Sequence, residues 1–210
     1  VALSAVGSLN PKFTPGTFVL PDQFIDRTFN RQKSFFGTGL VAHVSMARPV
    51  CEKLGRNIIK AAQNIGLTIS NKATYLVMEG PQFSSKAESE LYQSWKCDLI
   101  GMTNMPEAKL AREAEICYSS ISMVTDFDCW HPEHDEVTVE KIIKTLQENS
   151  KNAKSLIIEL TKLRAKPQSK LSCPCQFALD NAIITNPKNW DKNKVEACSA
   201  VASRILKTNN

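Results

Sequence analysis

The sequence predicts an α/β protein built on a central mixed β-sheet flanked by helices. Short apolar and β-branched runs alternate along the chain with longer segments of helical apolar spacing, which is the signature of helices layered on a sheet. Glycine, proline and capping residues fall at the joints between them. Polar and acidic residues gather just after the strands, where open α/β sheets bind their ligands.

Composition bounds the function classes. Of 210 residues, 42% are hydrophobic and 22% charged, which suits one packed domain and excludes a disordered chain, a collagen-like repeat or a coiled coil. No apolar run approaches the roughly 18 residues a membrane helix needs, so no membrane association is expected. The net charge of +5 comes from 26 basic and 21 acidic residues spread along the chain. The densest basic stretch, Lys162 to Lys170, contains Pro167 and reads as an exposed connector. A nucleic-acid surface needs clustered cations with interleaved aromatics, so none is expected.

The elements follow in order. Val1 to Val6 reads as the tail of a buried strand. The opening carries neither Met nor a charged leader, and a domain seldom begins within a strand, so an upstream portion is expected. Thr17 to Leu20 follows the turn pair Pro15-Gly16 and is a strand, and Leu40 to Ser45 is a second candidate. Pro49 to Ile65 has helical spacing in Leu54, Ile58, Ile59, Ala62 and Ile65, stopped by Gly66. Thr74 to Met78 is a buried strand. Ser84 to Trp95 is a helix, with Ser85 and Glu88 fitting a capping box. Asp98 to Met102 is a strand, and Pro106 to Ala114 a helix with Pro in its first turn. Ile116 to Thr125 is the longest strand candidate, and Val139 to Leu163 a long amphipathic helix. Beyond Lys166 the chain turns polar, then offers helices at Phe177 to Ile184 and Lys194 to Ile205. The organisation expected is one domain over 1–166, with 167–210 a helical extension of it.

The cysteine count is seven, an odd number in a chain that is not cysteine-dense. Cys51, Cys97, Cys117, Cys129 and Cys198 are scattered, and Cys97 and Cys117 lie in apolar stretches as small core residues. Only Cys173-Pro174-Cys175 forms a motif. Zinc requires a second pair of ligands at suitable spacing, and His131 and His134 stand far off in a Pro-containing loop. No metal site is therefore expected, and the pair reads as free thiols or a redox-labile clip.

Four strand-end loops are candidates for chemistry. Ser4-Ala5-Val6-Gly7-Ser8 has the small residues that let backbone N–H groups approach an anion, or it is a plain turn. Glu79 to Ser85 places Phe83 at a loop apex, to stack on a planar ring or to cap the core. Asp98 to Glu107 sets Met102 and Thr103 where a strand gives way to a helix, so Thr103 binds an anion or caps the helix. Val124 to Trp130 carries Asp126 and Asp128, two acids on one side of an extended segment. Such a pair handles protons, ligates a metal or is structural, and Mg²⁺ lacks a third acidic ligand nearby.

Taken together and in this order, these loops and the segment Asp22 to Thr28 resemble the purine nucleoside phosphorylase superfamily, in its trimeric 5′-methylthioadenosine phosphorylase branch. The resemblance runs from Val1 to about Leu163. It implies the nucleoside phosphorylase fold, incomplete at its N-terminus, and a cytoplasmic enzyme of purine and methionine salvage. By resemblance, Ser4, Ala5 and Thr103 contact phosphate, and Met102 contacts the ribose hydroxyls through its backbone. Phe83 packs on the purine, Ser84 lies at the base edge, Asp126 holds N7 as the catalytic acid, and Asp128 faces the 6-amino group. Val139, Ile142 and Ile143 form the pocket for the 5′ substituent.

His43 alone would read as a core histidine; the resemblance makes it a residue lent by a neighbouring subunit. The partners implied are 5′-methylthioadenosine, inorganic phosphate as co-substrate and further copies of the chain, as a trimer or a dimer of trimers. No metal or organic cofactor is implied. The family's glycine-rich phosphate loop and its Arg-His pair have no counterpart in these residues. Cys173 and Cys175 resemble the C-terminal CxC of some members, where it serves as a disulfide or redox element.

Overall fold

A computed structural model describes residues 1–131, 139–165 and 173–206. Seven strands are present among them: β1 (Ala2–Ser8), β2 (Phe18–Leu20), β3 (Gln23–Arg27), β4 (Ile69–Asn71), β5 (Thr74–Met78), β6 (Leu99–Gly101) and β7 (Ser120–Phe127). They form one sheet in the order β3-β5-β6-β1-β7-β2-β4. The sheet is mixed. β1 runs parallel to β7 and antiparallel to β6, and β2 runs antiparallel to β7.

Helices cover both faces. Alternation along β7 sends Ile121 and Met123 to one side, where α1 (Glu52–Asn64) and α4 (Val139–Ala165) bury Ile58, Ala61, Ala62, Leu156 and Leu160 against them. Val124 faces the other side with Val6, Tyr75, Val77 and Leu99, closed by Ala108 of α3 (Glu107–Glu113). α2 (Lys86–Ser94) sets Tyr92 on Leu76 and Ile100. Its N-terminus is a full capping box, with Glu88 N donating to Ser85 Oγ and Ser85 N donating to the Glu88 carboxylate. α1 stops at Gly66, whose φ of +69° belongs to the left-handed region.

Three sequence expectations need correction. Leu40 to Ser45 is not a strand. Leu40 is fully buried with Phe36, Leu179 and Leu206 of α5 (Lys192–Leu206), and its backbone exchanges hydrogen bonds with Gly37. A strand needs a strand to pair with, and this segment meets a turn instead: His43 N donates to Ala182 O and Ile184 N to Val41 O. Phe177 to Ile184 is likewise not an α-helix. A 3₁₀ turn at Pro174–Phe177 leads into further turns, with Asn181 at a φ of +58°. Leu179 and Ala182 are apolar at helical spacing because they fill the α5 cluster. Third, β7 begins at Ser120 and not at Ile116, which is 58% exposed just after Glu115 in a left-handed conformation.

Candidate active site

The centre of the site is the far end of the β1–β7 pair. The two strands run in parallel register from Ala2↔Ser120 to Val6↔Val124, then a bulge brings Gly7 opposite Asp126 and Ser8 opposite Phe127. The bulge re-aims the end of the strand. At Gly7 the packing is tight: a Cβ would stand 3.2 Å from Asp126 Oδ2 and 3.1 Å from Ile100 Cγ2. Ser8 fixes the turn that follows. Its carbonyl accepts from Asp128 N at 3.1 Å and from Trp130 Nε1 at 2.8 Å. Phe127 stacks on His131 at 4.6 Å and meets Trp130 edge-on.

The turn holds both acids inward. Asp126 accepts from Thr125 Oγ1 at 2.7 Å. Burial pushes its carboxyl up to about 6; the Thr125 hydroxyl pulls it partly back, and the negative charge of Asp128 adds to the rise. Asp128 is 5% exposed, and burial raises it as well, while the Ser89 hydroxyl and the backbone N–H of Cys129 pull it partly back. Its Oδ2 is buried with no hydrogen-bond partner among the described residues. A carboxyl near neutrality is poised to give and take a proton, and an unpartnered buried acceptor calls for a donor from a ligand.

The acids open into a cavity of about 250 Å³. Ala5, Phe83, Met102, Thr103, Asp126 and Asp128 line it, so one pocket unites residues from all four candidate segments, although the first is not a loop: Ser4 to Ser8 lie within β1 and pair with β7. Val6, Gly7, Met78, Ile100, Gly101 and Thr125 complete it. Phe83 is 50% exposed at the loop after β5. Close packing seats that loop: a Cβ on Gly80, whose φ is +71°, would fall 2.5 Å from Met102 Sδ. Gly101 similarly leaves space for Tyr75, whose hydroxyl lies 3.3 Å from Thr103 Oγ1.

Other expected site residues are placed differently. Ser4 is buried on the face of β1 opposite Ala5 and does not line the cavity. Ser84 stands just outside, its hydroxyl 3.8 Å from Met78 Sδ. His43 is exposed and is not a core residue; it edges a separate depression with Arg112, Phe177 and Asp180. Ile143 is 48% exposed on α4. The side chains of Val139 and Ile142 lie outside the described residues, as does His134.

Sequence reasoning missed Arg31. It sits in the loop after β3 and donates to the carbonyls of Met102, Met105 and Glu79, so it ties together the ends of β5 and β6. Nothing in its neighbourhood flags it, because its partners, backbone carbonyls and the Glu79 carboxylate, lie some 50 to 75 residues away and leave no motif. Asp26 of β3 is a second such anchor. It accepts from Thr28 and pairs with Lys33 and Lys109, which hold its carboxyl far below the ordinary range against the opposing effect of burial.

The sheet delivers paired acids, an aromatic loop and the small residues of β1 to one cavity, which is the candidate active site. The family model described as "Phosphorylase superfamily" matches residues 1–162, and the chain belongs to that superfamily. It is 54% identical over 207 residues to the S-methyl-5′-thioadenosine phosphorylase of Rhodospirillum rubrum, covering 98% of this chain and 70% of that protein. Among solved structures, a methylthioadenosine phosphorylase from an antarctic soil metagenomic library superposes with a TM-score of 0.87 at 42% identity, over 95% of this chain and 70% of that one. The methylthioadenosine phosphorylase of Schistosoma mansoni in complex with adenine gives 0.76 at 31%, over 80% and 65%.

Proposed function

We propose that the protein is a pentosyltransferase that cleaves 5′-methylthioadenosine with inorganic phosphate, giving adenine and 5-methylthioribose 1-phosphate. The observation that carries this reading is the acid pair: Asp126 with its carboxyl raised to about 6, beside Asp128 with an unpartnered buried oxygen.

The chemistry follows from charge. As the bond from the ribosyl carbon to the purine breaks, its electron pair moves onto the base. Protonated Asp126 donates to N7 and neutralises that charge. Asp128 accepts from the 6-amino group, which a 6-oxo group does not supply. Phe83 covers the ring. Phosphate, held by Thr103 and beside Ala5 of β1, stabilises the positive ribosyl carbon and then bonds to it. Phosphate is a co-substrate, and the reaction calls for no organic cofactor or catalytic metal.

Assembly and location belong to the same reading. His43 is exposed and lies apart from its own chain's cavity, as a residue lent to a neighbour's 5′ pocket must be. Shared sites of this kind close into a ring, here a homotrimer or a dimer of trimers. No helix among the described residues is long and apolar enough to cross a membrane, and we place the enzyme in the cytoplasm.

The test is a phosphate-dependent assay of base release from methylthioadenosine, adenosine and inosine. The reading expects the highest specificity constant for methylthioadenosine and the lowest for inosine. Inosine cleaved as well as methylthioadenosine would overturn the substrate assignment. Adenine release without phosphate would overturn the reaction type.

A further inference from the structure

The fold assembles a second constellation, remote in role from the acid pair. Cys51, Cys117, Cys173 and Cys175 come from three separate parts of the chain, and their sulfurs all lie within 4.8 Å of one another. Cys173 Sγ stands 3.5 Å from Cys51 Sγ and 3.5 Å from Cys117 Sγ. We propose that these four cysteines are the ligands of a structural zinc site, with Zn²⁺ bound as a tetrathiolate.

Geometry is the first argument. A tetrahedral zinc with Zn–S bonds of about 2.3 Å has sulfurs about 3.8 Å apart. The observed spacings bracket that value, so an ion is accommodated by small side-chain rotations. The cluster is also fourfold. Cys173 is equally near two different partners, which suits one shared centre better than a unique disulfide pair.

The scaffold is the second argument. Cys51 is the N-cap of α1, and Leu54 N donates to its sulfur at 3.4 Å. Cys51 N in turn donates to Tyr118 O at 2.7 Å, which fixes the approach of Cys117. Gln176 N donates to Cys173 O at 2.9 Å and turns the Cys-Pro-Cys segment so that both its sulfurs point inward. Arg112 Nη1 lies 3.6 Å from Cys175 Sγ as an outer donor.

Charge is the third. A zinc tetrathiolate carries two negative charges in excess. The depression beside the cluster, about 300 Å³, is edged by Arg48, Lys53, Arg56 and Arg112 against the single carboxylate of Glu52. Three of the cysteines are buried and Cys117 is half-buried, so the ion would be shielded from solvent, as structural sites are. Binding replaces four thiol protons with Zn²⁺ and involves no oxidation. It would tie the C-terminal segment to α1 and to the entry of β7, across 122 and 56 residues of sequence.

The experiment is metal analysis of the protein purified under reducing conditions with zinc present. One zinc per chain is expected by elemental mass spectrometry. Cobalt substitution should give the visible ligand-field bands of a tetrahedral tetrathiolate. Cys175→Ser should lose both signals, Cys175→His should keep the metal with a shifted cobalt spectrum, and Arg112→Ala should weaken zinc about 10–100-fold. Cys97→Ser and Cys198→Ser, which alter cysteines in other clusters, should bind normally. A reduced protein, folded by circular dichroism, that takes up neither zinc nor cobalt overturns the proposal. So does an intact mass lower by the thiol protons, which marks the four cysteines as disulfides in the protein as isolated.

Discussion

Arg31 and Glu79 interlock. The guanidinium Nε donates to Glu79 Oε1 at 3.3 Å, and the same side chain donates through Nη2 to the backbone carbonyl of Glu79 at 2.7 Å. Its other arm, Nη1, donates to the carbonyls of Met102 and Met105 at 2.8 and 2.6 Å. The Glu79 carboxylate closes the ring by accepting from the backbone N–H of Phe29 at 2.7 Å, and these bonds hold it below the ordinary range. One arginine thus sets the spacing between the loop that carries Phe83 and the loop that carries Met102 and Thr103.

Arg31→Ala should therefore loosen the base pocket without touching the acids. Unpaired part-buried carbonyls cost about 1–3 kcal/mol of stability. The expected result is a lower unfolding midpoint in urea and weaker adenine binding by calorimetry. Arg31→Lys should recover little, because a single ammonium cannot span carbonyls on two loops in a fork. Full adenine affinity in Arg31→Ala would show that the loops hold their spacing without it.

Gly7→Ala tests the bulge. The added methyl group would stand 3.1 Å from Ile100 Cγ2 and 3.2 Å from Asp126 Oδ2, so something must give by a few tenths of an ångström. Ile100 is packed in the core and the Asp126 side chain is the softer neighbour. We expect about 1 kcal/mol of lost stability, at the low end for overpacking, and a larger proportional loss in kcat than in the unfolding midpoint. Equal losses in both would mean that the backbone, and not Asp126, absorbs the methyl.

The residues of this site were legible in the sequence to the extent that they sit in contiguous loops. Phe83, Met102, Thr103, Asp126 and Asp128 follow strands whose apolar runs are plain, and the cavity collects them. Arg31 was not legible, because most of its bonds go to backbone carbonyls, which have no residue identity, and its one side-chain partner, Glu79, is far off in sequence. The four-sulfur cluster was hidden for a related reason. Cys51 reads as a scattered cysteine and Cys117 as a core residue until the fold brings them to Cys173. Strands β3 and β4 were missed because each is short and lies at an edge of the sheet, with intermediate burial and little apolar pattern. The helical reading of Phe177 to Ile184 failed because periodic burial does not require a helix: turns also point Leu179 and Ala182 into one cluster.

Asp126 links function to stability through pH. Its folded carboxyl is raised from 3.8 to about 6, so the folded chain keeps this proton to higher pH than the unfolded chain. The stabilising contribution is present at low pH and is lost as pH rises from about 4 to 6. A rise of that size in a carboxyl corresponds to about 3 kcal/mol. Asp126→Asn removes that penalty, so its stability relative to wild type should be greater at pH 8 than at pH 4, by an amount of that order. The same change should slow turnover about 10²–10⁴-fold, since an amide donates a hydrogen bond but transfers no proton. In the wild-type enzyme kcat/KM should fall as pH rises through about 6, and this limb should vanish in Asp126→Asn. An identical pH dependence of stability in both proteins would remove Asp126 as a buried, proton-holding group.

Asp128→Asn tests the proposed reading of the base edge. The buried Oδ2 of Asp128 lacks a partner among the described residues, so a ligand that brings an N–H there gains a hydrogen bond, whereas one that brings a carbonyl meets an oxygen with no proton between them. Asp128→Asn turns an acceptor-only group into one that can also donate. The backbone N–H of Asp128 keeps its bond to the Ser8 carbonyl in either case, so the turn itself should be preserved. Discrimination against 6-oxopurine nucleosides should drop by about 1–3 kcal/mol, a roughly 5- to 150-fold rise in the inosine-to-adenosine ratio of specificity constants. Measuring both constants in one preparation separates this from a general loss of activity, which would lower them together. If the ratio stays fixed while both fall, Asp128 supports the pocket without reading the base edge.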